Sequence, residues 1–209
     1  MSLCLYIYIN LAICIVNSSI MHQVIYPNAT NFALTLVDIS NTFGFAGFTF
    51  DYEPQSPVDN NANSAQLYKD FLTTVTSIFH KNGLVLTVWV ANWSKALNNF
   101  GLLAESGVDE LQDMETYGGY SMEQELKWMF EFLDDIGGDN KDNLSQAGVG
   151  LGCYQTTYWN QSLLNQMIGN MTQHGGYKID VFRLLMDGKN NWPPTYWWKS
   201  LEMFMNGTL

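Results

Sequence analysis

The chain has 209 residues, 47% of them hydrophobic and 14% aromatic, which is enough apolar surface for a substantial core and unlike a disordered segment. Twenty acidic residues against nine basic ones leave a formal charge of -11. That balance repels phosphate backbones and anionic lipid surfaces, so nucleic acid is not expected as a partner.

The first segment, Leu3 to Val16, carries no charge and admits two readings. Its length suits the apolar region of a signal peptide cut near Ser19, and its aliphatic and aromatic side chains suit a buried strand. Residues 1–27 are therefore a possible signal peptide or a first retained strand, and residues 28–209 the remaining domain. No membrane association is expected unless the N-terminal segment stays uncleaved.

Asn28 to Thr42 reads as a helix with Phe32, Leu36 and Ile39 on one stripe. From there, short apolar runs alternate with helical patterns, the mark of consecutive βα units and a parallel sheet. Strands are expected near 45–52, 84–91, 109–117, 147–154 and 178–186, and helices near 63–81, 94–105, 121–136, 160–173 and 194–205. Gly83, Gly107, Gly137 and Gly175 follow the helices as C-terminal caps, and Ser121 with Gln124 offers a capping box. The fold class is thus α/β, a (β/α)8 TIM-barrel type. At 209 residues it is expected to be incomplete, lacking the first two or three βα units of a barrel that usually takes about 250.

Asn17, Asn28, Asn92, Asn143, Asn160, Asn170 and Asn206 each precede Ser or Thr by two positions with no Pro between, giving glycosylation acceptors that point to a secreted or lysosomal/vacuolar glycoprotein. Cys4, Cys14 and Cys153 build no disulfide framework. Two of them would leave with a signal peptide, and Cys153 reads as a buried thiol. His22, His80 and His174 have no zinc-site spacing, and Gly-rich phosphate loops are absent from the sequence, so neither metal nor cofactor is expected.

The most informative run is GFAGFTFDYEP, Gly44 to Pro54. Side chains alternate along a strand, so Thr49, Asp51 and Glu53 share one face while Phe48, Phe50 and Tyr52 share the other. A strand that buries aromatics behind it and ends in paired acids is the pattern of a catalytic strand in an α/β barrel.

The residues from Ala46 to Glu53 resemble the D-G-x-D-x-D-x-E signature of the family 18 glycoside hydrolases, the chitinases and their relatives, on the fourth barrel strand. Asp51 and Glu53 match its last two acids. Ala46 and Thr49 replace its first two aspartates, the second of which normally supports the third; the Thr49 hydroxyl is available as a donor to Asp51. The run Glu110 to Tyr120 is similar to the family's sixth strand, where Tyr117 matches a tyrosine that holds the N-acetyl carbonyl. Asp113 and Glu115 share the parity of Tyr117, which would make the interior acidic. Arg183, with the parity of Asp187, would neutralise that cluster or serve as a structural salt-bridge partner. Trp89, Tyr154, Gln155 and Trp192 stand at or after strand ends where a sugar can stack or hydrogen-bond, whereas Trp197 and Trp198 read as ordinary helix packing.

Carboxylates at i and i+2 lie about 7 Å apart on one face, so they cannot flank a glycosidic bond as an acid and an opposing nucleophile do. What the resemblance implies is a retaining, substrate-assisted hydrolysis of β-1,4-linked N-acetylglucosamine in chitin, chitooligosaccharides or glycan cores. The N-acetyl carbonyl would act as nucleophile, Glu53 as general acid/base and Asp51 as its electrostatic partner. The expected partner is an N-acetylglucosamine-containing oligosaccharide or polysaccharide. Two alternatives stand beside this reading: a chitinase-like carbohydrate-binding protein without activity, and an enzyme of another barrel family pairing Glu53 with a distant acid such as Glu115.

Overall fold

The computed structural model describes residues 10–54, 59, 61, 63–94, 96–114, 121–138, 141–152, 161–176, 178–182 and 195–208. Among them are six strands: β1 (Asn10–Ile15), β2 (Gly47–Tyr52), β3 (Val85–Val90), β4 (Glu110–Asp113), β5 (Ala147–Gly152) and β6 (Lys178–Phe182). They form one sheet in the order β1-β2-β3-β4-β5-β6, and the pairs β1–β2, β2–β3 and β5–β6 are parallel. Strands that lie in sequence order, each followed by helix, are what repeated βα crossovers produce. This is the barrel-type α/β architecture implied by the alternating pattern, with six described strands against the eight of a complete barrel. Among the described residues, no helix is long and apolar enough to cross a membrane.

The helices are α1 (Ser18–Ile20), α2 (Ala29–Phe43), α3 (Ser64–Lys81), α4 (Phe100–Ala104), α5 (Met122–Gly137), α6 (Gln161–Gln173) and α7 (Thr195–Met205). A π-helical turn, Met21–Ile25, and a 3-10 turn, Tyr26–Asn28, join α1 to α2. The chain divides into two compact units, Met1–Leu111 and Gln112–Leu209.

In the first unit, the aromatic face of β2 packs under α2 and α3. Phe50 meets Phe32, Phe71 and Phe79 at ring-centroid distances of 5.9, 5.9 and 6.4 Å. Phe48 meets Phe79 at 5.4 Å, and Tyr52 meets Tyr68 at 5.5 Å. Phe48, Phe50 and Tyr52 are buried, each contributing about 1.5–3 kcal/mol of transfer free energy. Helix α2 stops where Gly44 takes the left-handed conformation (φ 75°) and donates its N–H to the Ser40 carbonyl at 2.7 Å. Gly47 lets β2 approach β3 closely, because a Cβ there would run into the carbonyl oxygen and Cγ2 of Val85, its register partner.

Two boundaries differ from the sequence pattern. The helix expected over 94–105 is confined to Phe100–Ala104. Ser94 draws the preceding residues into a turn instead, with its carbonyl accepting from Leu97 and Asn98 at 3.0 Å and its Oγ from Ala96 at 3.2 Å. Such local side-chain bonds compete with helix, which restarts only at Asn99, whose Oδ1 caps Leu102 N–H at 3.1 Å. The strand expected over 109–117 begins at Glu110 and runs to Asp113, with residues 115–117 outside the described ones.

In the second unit, Ser121 Oγ accepts from Gln124 N–H at 3.3 Å, and Glu123 and Glu125 occupy the first turn of α5, where negative charge suits the helix dipole. The cap falls one residue later than expected: Gly137 ends the helix and Gly138 carries the positive φ of 36°. Met129, Phe132, Leu133 and Ile136 of α5, Val149 and Leu151 of β5, and Leu164, Met167, Ile168 and Met171 of α6 are buried. Phe130 stacks on His174 at 4.2 Å, and Ser200 Oγ donates to Asn165 Oδ1 at 2.5 Å. Trp198, expected in helix packing, is 45% exposed.

Candidate active site

The last strand residues of β2 and the extended pair after them carry the acids. Asp51 is directly opposite Cys14 in the β1–β2 register, and Thr49 opposite Ala12. Glu53 N–H donates to the Ile15 carbonyl at 3.0 Å, which prolongs the ladder one step past Tyr52 and keeps Glu53 in line with Asp51. Pro54 follows and is buried; without an N–H it cannot extend the ladder. Asp51 and Glu53 thus share the face opposite the aromatic core. Asp51 is 9% exposed and Glu53 half-buried.

On β3, Thr87 is the register partner of Thr49, and the two hydroxyls meet at 2.6 Å. Thr49 was expected as a donor to Asp51; its hydroxyl meets that of Thr87 across the sheet, a contact in which either oxygen can be the donor. Trp89 stands two residues beyond Thr87 on the same parity, half-buried, and so belongs to the acidic face of the first unit.

Burial is the main cause that holds the Asp51 carboxyl above its ordinary range. A side-chain hydrogen bond with Cys14 works against the shift, and the charge of Glu53 adds to it. Its Oδ1 atom is buried without a hydrogen-bond partner. The Cys14 thiol is pushed up as well, first by desolvation, then by its bond to Asp51 and the charges of Asp51 and Glu53.

Behind this face lies a second polar group that sequence reasoning did not single out. His22 Nε2 contacts Asp59 Oδ1 at 2.6 Å, with Asp59 only 2% exposed, tying the segment after β1 to the one after β2. Tyr26 packs on His22 and on Phe71. Burial pushes the Tyr26, Tyr52 and Tyr68 hydroxyls far above their ordinary range, so these tyrosines stay neutral and support the site from behind.

Of the other residues expected at the site, Asp113 is the final residue of β4 and is fully buried, in the second unit. Glu115, Tyr117, Tyr154, Gln155, Arg183 and Trp192 lie outside the described residues. The structure therefore brings Asp51, Glu53 and Trp89 together on one face and adds Cys14. The missed signal for Cys14 was parity: once residues 10–15 are a strand, Ala12 and Cys14 alternate with Leu11 and Ile13.

No family model matches the chain, and no curated protein matches it. Solved structures do. A chitinase from Chromobacterium violaceum superposes with a TM-score of 0.67 at 12% identity, covering 93% of this chain and 78% of that one. The Ostrinia furnacalis Group IV chitinase, solved with allosamidin, gives 0.65 at 12% identity over 96% of this chain and 80% of its own. A sporulation-specific glycosylase from Bacillus subtilis gives 0.50 at 19% identity over 67% of this chain, which spans only 50% of that protein. The likeness is one of fold: the chain has the α/β barrel-type fold of chitinases and related glycosylases.

Proposed function

We propose that the protein hydrolyses β-1,4-linked N-acetylglucosamine by a retaining, substrate-assisted mechanism, with Glu53 as general acid/base. The observation that carries this reading is the placement of Asp51 and Glu53 on one face at the end of β2, backed by a buried aromatic core. A same-side pair cannot supply both a leaving-group acid and an opposing nucleophile. The acetamido group of the substrate can fill the second role, and the allosamidin complex of the Ostrinia furnacalis chitinase supports an amino-sugar ligand for this fold.

In this mechanism the acetamido carbonyl oxygen attacks the anomeric carbon as the glycosidic bond breaks, and Glu53 passes its proton to the departing oxygen. The positive charge that develops on the acetamido nitrogen is stabilised by the Asp51 carboxylate. Water then opens the oxazolinium ring from the face the leaving group vacated, giving its proton to Glu53 and restoring the original anomeric configuration. Trp89 offers an indole face against which an apolar sugar face can stack. The test is turnover of a chitobiose-type fluorogenic substrate and its inhibition by an oxazoline-type compound. Turnover insensitive to that inhibitor contradicts the mechanism.

One observation favours a second reading, a carbohydrate-binding protein without turnover: Ala46 and Thr49 replace two acids of the signature, and the Thr49 hydroxyl is engaged by Thr87. Calorimetric binding of chitooligosaccharides without hydrolysis would decide for it.

A further inference from the structure

We propose that the His22–Asp59 pair is the positioning clasp of Glu53: it ties the chain that follows β2 to the chain that follows β1, and so holds the acid in line at the end of its strand. The inference rests on the hydrolytic reading above, in which Glu53 is the general acid/base, and assigns what fixes the backbone that carries it.

Four observations converge. His22 Nε2 meets Asp59 Oδ1 at 2.6 Å, and Asp59 is 2% exposed; against a carboxylate, which only accepts, the imidazole is the donor. A carboxylate buried that deeply is costly without a partner, so the contact holds both residues in place. Glu53 N–H donates to the Ile15 carbonyl at 3.0 Å, so Glu53 and Asp59 are both tied to the one stretch from Ile15 to His22. That stretch is itself held: Asn17 Oδ1 accepts from the Ser19 and Ile20 N–H groups at 3.0 and 3.3 Å, and Met21, beside His22, is buried. Tyr26 meets the imidazole in a T-shaped contact at 5.0 Å and packs on Phe71, which stacks on Phe50 of β2.

Glu53 needs such a tie because its own strand ends before it. β2 closes at Tyr52, and Pro54 has no N–H with which to continue the ladder. The bond to Ile15 is the final rung among the described residues, and terminal rungs open most readily unless the chain beyond them is anchored. Asp59 is that anchor. A general acid must lie within hydrogen-bond reach of the departing oxygen, so loosening this rung acts on kcat, whereas Trp89 on β3 keeps its place and KM with it.

The test is amide hydrogen exchange, followed residue by residue by NMR, in the wild-type chain and in His22→Ala, His22→Asn and His22→Gln. The glutamine amide reaches the place of Nε2, and the asparagine amide falls short of it. The Glu53 amide is expected to exchange about tenfold faster than wild type in His22→Ala and His22→Asn and within about twofold of it in His22→Gln, while the amide of Phe50, inside the β2–β3 pairing, stays unchanged. Where the alanine variant does not fold, the asparagine variant carries the comparison. An unmoved Glu53 amide, a rise shared equally by Phe50, or a glutamine variant displaced as far as the asparagine one overturns the proposal. On a chitobiose-type substrate, His22→Asn should lower kcat about tenfold with KM unchanged, and His22→Gln should recover it; an unchanged kcat in His22→Asn also overturns it. If wild type shows no hydrolysis while the Glu53 amide responds as expected, the failure belongs to the hydrolytic reading, and the clasp on Glu53 stands.

Discussion

Asp51 is where burial and function pull against each other. Its folded-state carboxyl titrates above the ordinary 3.8, so between those two midpoints the folded chain binds a proton that the unfolded chain has released. Stability contributed by this group therefore falls as pH rises through the folded midpoint, and the full cost persists above it. Asp51→Asn removes that cost: its melting temperature should exceed wild type by roughly 2–4 °C at pH 7. The difference should vanish as the pH drops below the unfolded value, and an equal or lower melting temperature at pH 7 would count against a desolvated carboxylate. A gain in stability at the expense of activity is what a site residue shows. The two acids were legible in the sequence because i and i+2 parity is local information. Cys14 was not, because its relation to Asp51 depends on a register between segments 37 positions apart, which no local pattern encodes.

At the scale of elements, β2 is fixed from both sides. Phe50 is 2% exposed and touches three rings from α2 and α3. Phe50→Ala should cost about 3–5 kcal/mol in denaturant unfolding; a loss below about 1 kcal/mol would mean that the aromatic layer does not form. Gly47→Ala sets a methyl against the Val85 carbonyl, so the β2–β3 pairing must shift and a loss of about 1–3 kcal/mol is expected. Glu53 lies on the same strand line, and hydrolysis should fall with it. Strand and helix positions were readable because hydrophobic periodicity and glycine caps mark them directly, as at Gly83 (φ 71°) and Gly175 (φ 86°). The exception, α4, shows what periodicity misses: the Ser94 hydroxyl takes the Ala96 N–H in a local side-chain bond, of the kind that competes with an otherwise acceptable helical pattern.

For the molecule as a whole, the alternating pattern carried the fold class because a strand-helix repeat has few solutions other than a parallel sheet, and solved chitinases share the result. The acidic balance of the chain fits a neutral polymer as ligand better than an anionic one. Binding of a chitooligosaccharide, followed by calorimetry, should weaken roughly tenfold in Trp89→Ala, while affinity unaffected by that change would remove Trp89 from the sugar-binding face. The most direct measurement is hydrolysis of a chitobiose-type fluorogenic substrate by wild type and Glu53→Gln, both confirmed folded. The account predicts turnover by the wild-type chain and a loss of about 10²–10⁴-fold in the variant. Hydrolysis left intact in Glu53→Gln would contradict it.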